Sequence, residues 1–301
     1  MDPGIDDALA LYAALARLNV RGLSTVAGNV ELDRTFENGR QLLQLAGRAD
    51  VPVWRGSRAP LFFPLHTAPE IHGPHGMGAR EFTEPASAPT LTEGPWQAWP
   101  DLWSNQSEPV HVIATGPMTN VAKLLWCLPD PDKLLSGITV MGGAIEGGNV
   151  TPTAEFNFFV DPEAADAVMA APVPVSMVGL DVTWKARMPW SDVDKLSQWG
   201  PVGRLLADAL GWYGRHGEAE TAGLAVHDAV AVAAYAHPEW FTWESMTLSV
   251  RSDGLWRGTV VRVPHSAPNR RPVQAAVDVE TGPVLDWIME SIARLAQQVT
   301  E

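Results

Sequence analysis

Cysteine and basic residues are scarce in this chain of 301 residues, and it contains no long apolar run. The single cysteine, Cys127, excludes an internal disulfide and fits a reducing cytosol. Its apolar neighbours predict a buried structural thiol. Because no run reaches ~18 uninterrupted apolar residues, we expect no membrane span. Since the first motif already starts at residue 2, we also expect no signal peptide.

Positive charge is the second deficit. The chain has 21 Lys and Arg against 35 Asp and Glu, a formal net charge of −14. The basic residues are scattered, which argues against a nucleic-acid partner. A hydrophobic content of 46% supplies enough apolar mass for the core of an ordinary globular protein. With no repeat and no clear linker, we predict a single domain over residues 1–301.

Strand and helix patterns alternate along the chain, and this order predicts an α/β fold with a mostly parallel sheet flanked by helices. Three runs near the C-terminus predict a small antiparallel portion. The predicted helices are Ile5–Leu18, Leu32–Ala46, 118–125, Pro162–Ala171, Val202–Arg215, His227–Ala236 and Pro283–Gln298. The predicted strands are Arg21–Ala27, Val51–Trp54, Val110–Ala114, Ile138–Met141, Val173–Val182, Met246–Val250, Gly258–Val263 and Val273–Val279.

Polar residues and glycines collect where the predicted strands end. Asn29, Thr115, Gly142 and Asp181 lie at these ends. In open parallel sheets the ligand crevice lies beyond the carboxyl ends of the strands. We therefore expect a ligand site at this edge.

The acidic start of the chain is its most informative feature. Asp2, Asp6 and Asp7 surround a Pro-Gly turn that leads directly into an Ala/Leu-rich helix. Like charges this close repel one another unless something positive lies among them. A helix N-terminus or a hard cation such as Ca²⁺ or Mg²⁺ would serve. A solvated acidic N-cap is about as good an interpretation of this segment alone.

Three further segments carry polar chemistry. His227 and Asp228 open a helix of small apolar residues, where a buried carboxylate would need a partner or a metal. Glu155 and Asn157 point the same way if their segment is extended, and together they suit sugar hydroxyls. The competing interpretation of His227 and Asp228 is an Asp N-cap beside a surface histidine. The competing interpretation of Glu155 and Asn157 is the polar edge of a loop.

Glycines around His72 suggest a mobile loop that closes over a ligand. The competing interpretation is a surface loop whose histidines have no function. Metal binding by His72 and His75 is a weaker interpretation than either of these.

Taken in order, these segments resemble the inosine-uridine preferring nucleoside hydrolases over nearly the whole chain. The matching segments are Asp2-Pro3-Gly4-Ile5-Asp6-Asp7-Ala8, Val26-Ala27-Gly28-Asn29, 114–120, Met141-Gly142-Gly143, Ala154-Glu155-Phe156-Asn157 and His227-Asp228. The resemblance implies a Rossmann-like fold and Ca²⁺-dependent hydrolysis of the N-glycosidic bond of ribonucleosides, in nucleoside salvage.

The resemblance also assigns roles to residues of this chain. The implied Ca²⁺ ligands are Asp2, Asp7, the backbone carbonyl of Thr115, and Asp228, an all-oxygen set of the kind a hard cation needs. Asp2 is also the implied general base for the metal-bound water. The implied substrate-binding residues are Asp6, Asn29, His72, Met141, Asn149, Glu155 and Asn157. His227 is implied to assist the leaving base, and its usual titration near neutral pH suits a proton donor.

The N-terminus departs from the family pattern. Family members carry a first strand that ends in another aspartate two residues before the position of Asp2. Here Met1 directly precedes Asp2. We expect a start codon assigned too late, in preference to a truncated chain or a loss of full activity. A second departure is Ala229, where the family often has Pro.

Two other functions compete with nucleoside hydrolysis. A metal-dependent phosphohydrolase also uses clustered aspartates, but it usually places Lys or Arg around the phosphate, and these motifs have none. A catalytically impaired nucleoside- or ribose-binding protein would bind Ca²⁺ and ribose without turnover. The resemblance further suggests a cytoplasmic homodimer or homotetramer with no membrane partner.

Overall fold

The predicted alternation of strands and helices is confirmed by the computed structural model, which describes residues 1–83, 86, 90–91, 93–216, 219–220 and 223–300. Within them the strands are β1 Leu23–Thr25, β2 Val53–Arg55, β3 Thr90–Leu91, β4 Val110–Ala114, β5 Leu135–Met141, β6 Val175–Val178, β7 Arg187–Met188, β8 Ala219–Glu220, β9 Gly223–Ala225, β10 Phe241–Met246, β11 Leu248–Val250, β12 Val260–Arg262 and β13 Val273–Val279.

The α-helices of the same residues flank these strands. They are α1 Ile5–Arg17, α2 Leu32–Leu45, α3 Pro69–His72, α4 Pro95–Ser104, α5 Thr119–Cys127, α6 Pro131–Leu134, α7 Phe156–Val160, α8 Pro162–Met169, α9 Leu180–Thr183, α10 Trp190–Leu196, α11 Gly200–His216, α12 His227–Ala236 and α13 Thr281–Thr300. In the described part of the chain, no helix is long and apolar enough to cross a membrane.

The central sheet has five strands among the described residues, in the order β10-β13-β6-β5-β4. Neighbours from β4 to β13 run parallel, and β10 is antiparallel to β13. The C-terminal strand β13 therefore joins the main sheet, while β11 and β12 form a separate antiparallel pair. This confirms the mostly parallel sheet and the small antiparallel portion.

A second parallel sheet, in the order β1-β2-β3, stands apart from the first. Strand β1 is its edge, as β4 is the edge of the central sheet. Met1 lies beside β1, where its N-terminal nitrogen donates to the Ser24 carbonyl at 3.1 Å and its own carbonyl accepts from Val26 N–H at 3.1 Å.

Helix α1 lies in the middle of the molecule, packed against α12 and α13. Its sequence is Ala- and Leu-rich on every side, so nearly all of it is buried. Helix α12 has the same character and is also almost wholly buried. The acidic first turns of α1 and α12 thereby come together in the interior.

Three local predictions are wrong. The strand predicted over Met246–Val250 is divided, because Met246 ends β10 and Leu248–Val250 forms β11. The strand predicted over Val173–Val182 ends at Val178, and Asp181 lies instead in the first turn of α9, where it accepts backbone N–H groups of Ile145 and Glu146 at 2.9 Å each. Cys127 is exposed rather than buried, because it closes α5 on the outward side beside exposed Trp126.

Candidate active site

The N-terminal segment brings three carboxylates into the interior. Asp2, Asp6 and Asp7 are at most 7% exposed. The turn that carries them is closed by a hydrogen bond, in which Gly4 N–H donates to Asp7 Oδ2 at 3.0 Å. This bond satisfies one backbone donor at the start of α1 and places the carboxylates at the positive end of the helix dipole.

Asp7 is held from three sides. Besides Gly4, the Asn29 side-chain amide donates to Asp7 Oδ2 at 3.0 Å, and the Thr115 hydroxyl donates to Asp7 Oδ1 at 3.0 Å. Asn29 follows β1 and Thr115 follows β4. The polar residues predicted at the two strand ends therefore do meet at one edge, around the first turn of α1.

Asp2 lies between the same two strand ends. Its Oδ2 accepts the Asn29 backbone N–H at 2.8 Å. A Cβ atom at Gly28 or at Gly116 would collide with the Asp2 carboxylate, so these glycines make room for it. Its other oxygen, Oδ1, is buried and has no hydrogen-bond partner. A buried carboxylate oxygen without a partner is costly, which indicates that something else binds there.

Asp228, in the first turn of α12, completes an acidic cluster. Carboxylate oxygens of Asp6, Asp7 and Asp228 all lie within 4.8 Å of one another. Burial raises the pKa of Asp6 and of Asp7 to about 6. Burial and the neighbouring carboxylates raise the pKa of Asp2 and Asp228 well above their usual range. The Met1 ammonium lowers the pKa of Asp2, Asp7 and Asp228, but by less than burial and the neighbouring carboxylates raise it.

Glu155 and Asn157 lie at the start of a short helix, and not on an extended segment as expected. Glu155 is the N-cap of the short helix α7, and its carboxylate accepts from Asn157 N–H at 2.9 Å, Phe158 N–H at 3.1 Å and Gly143 N–H at 2.8 Å. The segment is helical rather than extended. Burial nevertheless raises the pKa of Glu155 to about 7.

Two other predicted binding residues flank this helix. The Asn157 side-chain amide donates to the Met141 carbonyl at 3.2 Å, at the end of β5. Asn149 is exposed, and its Oδ1 accepts Phe156 N–H at 2.9 Å. Both asparagines line the same cavity as Glu155 and Met141.

His72 is a buried residue at the end of α3. Its Nδ1 accepts the Ile5 N–H at 3.3 Å, which ties it to the start of α1. Its ring lies 5.7 Å from that of Tyr213. Burial lowers the pKa of His72 to about 4. The positive φ angles of Gly73, 81°, and Gly76, 83°, shape the loop that follows.

His227 is buried beside Asp228, and its Nδ1 lies 2.7 Å from the Thr183 hydroxyl. Burial, together with the charge of Arg187, lowers the pKa of His227 to about 4. The imidazole is therefore neutral at pH 7, whereas the sequence alone suggests titration near neutrality.

A cavity of about 400 Å³ connects these residues. It is lined by Asp2, Asp6, Asn29, Thr115, Met141, Asn149, Glu155, Asn157, His72, His227 and Asp228, which are all of the predicted site residues except Asp7. Asp7 lies behind Asn29 and Thr115. Among the described residues that line the cavity, none is Lys or Arg.

Several residues of the cavity wall belong to none of the sequence motifs. Tyr213, His66 and Phe156 line the cavity, and Thr183 supports His227. Tyr213 lies on the buried face of α11, where an aromatic residue is also an ordinary packing residue. No local motif distinguishes the two roles.

This arrangement of strand-end polar groups around a buried acidic cluster has known relatives. Residues 1–286 match the sequence profile of the family described as inosine-uridine preferring nucleoside hydrolase. The chain belongs to that family. The match covers every motif from Asp2 to Asp228, so membership of this family explains why the motifs occur in this order.

Curated relatives also match the chain over nearly its whole length. The chain is 37% identical over 296 residues to the non-specific ribonucleoside hydrolase RihC of Klebsiella pneumoniae, covering 97% of this chain and 96% of the relative. It is 36% identical over 301 residues to the pyrimidine-specific ribonucleoside hydrolase RihA of Citrobacter koseri, with the same coverage.

Solved structures give the same result for the fold. A purine-preferring ribonucleoside hydrolase from Gardnerella vaginalis superposes with a TM-score of 0.92 at 27% identity, over 99% of this chain and 98% of that one. A plant nucleoside hydrolase, PpNRh1, superposes with a TM-score of 0.90 at 28% identity, over 97% of each chain. The Rossmann-like α/β fold of the nucleoside hydrolases is thus confirmed.

Proposed function

We propose that this nucleoside hydrolase cleaves the N-glycosidic bond of ribonucleosides with Ca²⁺ as its resident cation, and releases ribose and free base. The observation that carries the proposal is the buried acidic cluster with the orphaned Asp2 Oδ1 at one end of the cavity. Burying so many carboxylates is stable only when a positive group accompanies them.

The donor set fits a hard cation. Asp2, Asp7, Asp228 and the Thr115 carbonyl are all oxygen donors, as Ca²⁺ prefers. The unpartnered oxygen of Asp2 and the raised pKa values of all these carboxylates support the same assignment. When bound, the cation would lower the pKa of water and hold vicinal hydroxyls of the sugar.

The chain's own residues supply the remaining steps. Asp2 accepts a proton from the water that attacks C1′ of the ribose. As the bond to the base breaks, positive charge develops on the sugar, as in other glycosyl transfer. Asp6 and Glu155 place negative charge beside it. Asn29, Asn149 and Asn157 orient the ribose through its hydroxyls.

His227 and His72 act on the base. His227 is neutral at pH 7, so it assists departure by donating a hydrogen bond from an uncharged imidazole to a base nitrogen. Acceptance of the Ile5 N–H by His72 Nδ1 leaves its Nε2 as the protonated nitrogen. Met141 supplies an apolar contact at the floor of the site.

The cavity disfavours the phosphohydrolase alternative. Phosphoryl transfer needs positive side chains around the phosphate. The described cavity wall carries none. Five of its members are Asp or Glu, beside which a phosphate would be repelled: Asp2, Asp6, Glu70, Glu155 and Asp228. A neutral nucleoside meets no such repulsion.

A substrate panel tests the proposal. Inosine, uridine, adenosine and cytidine, and separately their 5′-monophosphates, are incubated with the protein and Ca²⁺. Free base, inorganic phosphate and ribose binding are measured. Base release from nucleosides without phosphate release supports the hydrolase. Phosphate release supports the phosphohydrolase, and ribose binding with no release supports the binding protein. Asp7→Asn is the inactive control.

The proposal extends to the whole chain. Residues 1–301 form a single domain, which is cytoplasmic and assembles as a homodimer or homotetramer. Several large apolar side chains are exposed, including Phe62 at 77% and Leu255 at 91%. Sedimentation velocity at several protein concentrations measures the oligomeric state.

A further inference from the structure

Helix α11 carries two neighbouring aromatic residues that serve the site in different ways. Tyr213 lines the cavity, and its ring lies 5.7 Å from that of His72. Rings at this separation are in direct contact, so they form one continuous wall that admits no flat base between them. Trp212, the residue before Tyr213, is half-buried and lies outside the cavity wall. Its contacts are made with the segment that carries His72.

The first of these contacts is a hydrogen bond to α3. The indole Nε1–H of Trp212 donates to the Ile71 carbonyl at 3.2 Å. Helix α3 ends at His72, so this carbonyl belongs to the last turn, whose carbonyls have no partner within the helix. The bond therefore ties α3 to α11 through the residue next to His72.

The loop that follows His72 returns to the same tryptophan. Gly78 N–H donates to the His72 carbonyl at 2.8 Å, which closes the loop over residues 72–78. Gly78 has a φ angle of 66°, and a Cβ atom there would lie 2.8 Å from Cβ of Trp212. Glycine allows both the backbone conformation and the close approach. Trp212 thus contacts the residue before the loop and the residue that closes it.

The indole is itself held in place by its own helix. The imidazole of His216 stacks on it, with ring centroids 4.0 Å apart and an angle of 15° between the planes. The Nδ1–H of His216 donates to the Trp212 carbonyl at 2.9 Å, one turn earlier in α11. This stacking restricts rotation of the indole, so Trp212 is a rigid support for α3 and its loop.

We propose that Trp212 is a positioning residue for His72, and that it sets the wall of His72 and Tyr213 against which the base of the nucleoside lies. This role rests on the proposed function, because a nucleoside brings a base to this wall. Trp212 acts by fixing α3 to α11. Loss of its contacts should therefore weaken binding of the base and leave binding of the ribose, which other walls of the cavity hold, unchanged.

The variant Trp212→Phe keeps an aromatic ring but has no N–H donor. We expect KM for inosine to rise by up to about tenfold, the effect of one hydrogen bond, with kcat changed by less than about twofold. Affinity for ribose, measured by calorimetry with Ca²⁺, should not change. Trp243→Phe is the matched control, because Trp243 Nε1 also donates to a backbone carbonyl, that of Pro238 at 2.9 Å, outside the cavity wall.

A second variant disturbs the same contact from the side of the loop. Gly78→Ala should push the loop away from Trp212 and raise KM for inosine in the same way. Gly200→Ala is its matched control, since Gly200 also has a positive φ angle, 63°, but a Cβ atom there meets nothing within 4 Å. Because Trp212→Phe and Gly78→Ala break one contact, their combined effect on KM should be smaller than the product of the separate effects.

Hydrogen–deuterium exchange tests the contact without turnover. Peptides covering residues 68–80 should exchange about tenfold faster in Trp212→Phe than in the parent, whereas exchange in α12 should be unchanged. Unchanged exchange over residues 68–80 would overturn the role of Trp212 even if the parent releases base. An equal loss of affinity for inosine and for ribose would also overturn it, because the whole site would then be disturbed.

Failure of the proposed function gives a different result. If the parent releases no base from any nucleoside, hydrolysis is wrong, and calorimetric binding of inosine then replaces KM as the measure of positioning. Faster exchange over residues 68–80 with weaker inosine binding in Trp212→Phe would still support the role of Trp212. Inosine binding equal to that of the parent would overturn it.

Discussion

The Thr183 hydroxyl lies 2.7 Å from Nδ1 of His227, and both residues are buried. Thr183 ends the short helix α9, which follows β6, whereas His227 begins α12. If the hydroxyl donates, the proton of the neutral imidazole is on Nε2, the nitrogen left for the leaving base.

Replacement of Thr183 by Val tests this relationship. The variant keeps the shape of the side chain but loses the hydrogen bond, which is worth ~0.5–1.5 kcal/mol, so kcat for inosine should fall by up to about tenfold. A riboside with a 4-nitrophenoxide leaving group serves as the control, since this group needs no proton. An equal loss on both substrates would show that Thr183 does not act through His227.

Gly116 makes room for Asp2, and a methyl group there should displace the carboxylate. We expect Gly116→Ala to reduce kcat/KM by about 10²-fold or more, because small misplacements of catalytic groups have effects of this size. Gly282→Ala is the matched control, since a Cβ there meets nothing within 4 Å. Normal activity of Gly116→Ala with an unchanged melting temperature would contradict the placement of Asp2 in the reaction.

Asp228→Asn removes one charge from the acidic cluster while keeping its shape. In chelator the variant should be at least as stable as the parent, because it relieves repulsion from Asp6, Asp7 and Asp2. With Ca²⁺ at about 100 times its Kd, the parent should gain about 2.7 kcal/mol and the variant much less. Chemical denaturation with and without Ca²⁺ measures the stability of the two proteins and their gain from the cation. An equal gain in parent and variant would show that Asp228 is not a ligand of the cation.

Glu155 makes stability depend on pH. Burial raises its folded-state pKa from 4.5 to about 7, so the folded protein holds this proton more tightly than the unfolded chain. The stability contribution is therefore present below pH ~4.5 and is lost as pH rises toward 7. In chelator, the free energy of unfolding should fall over this range by on the order of 3 kcal/mol more than in Glu155→Gln. Parallel pH profiles of the two proteins would refute this.

Much of the fold could be predicted from the sequence, because periodicity identifies long elements well. Helix α12 begins and ends where it was predicted, and β4 and β13 agree residue for residue. Short elements were harder. Leu180–Thr183 continues the apolar run of β6, and nothing local marks Gly179 as the point where the strand pattern stops.

The site could be assembled from strand ends and motif order, but its electrostatics could not. Whether His227 titrates near neutrality depends on its burial beside Thr183 and Arg187, which are distant in sequence. Likewise, the carboxylate of Glu155 is directed by the backbone of Gly143, twelve residues earlier, and by its own helix. Such contacts arise only when the chain is folded.

The role of the acidic cluster in catalysis is tested most directly by the rate of base release from inosine after removal of divalent cations and after restoration of Ca²⁺. We expect chelation to abolish release and Ca²⁺ to restore it, and we expect Asp228→Asn to show neither response. Undiminished release in chelator would contradict the role assigned to the acidic cluster. Tight ribose binding with no release under any condition would contradict hydrolysis itself.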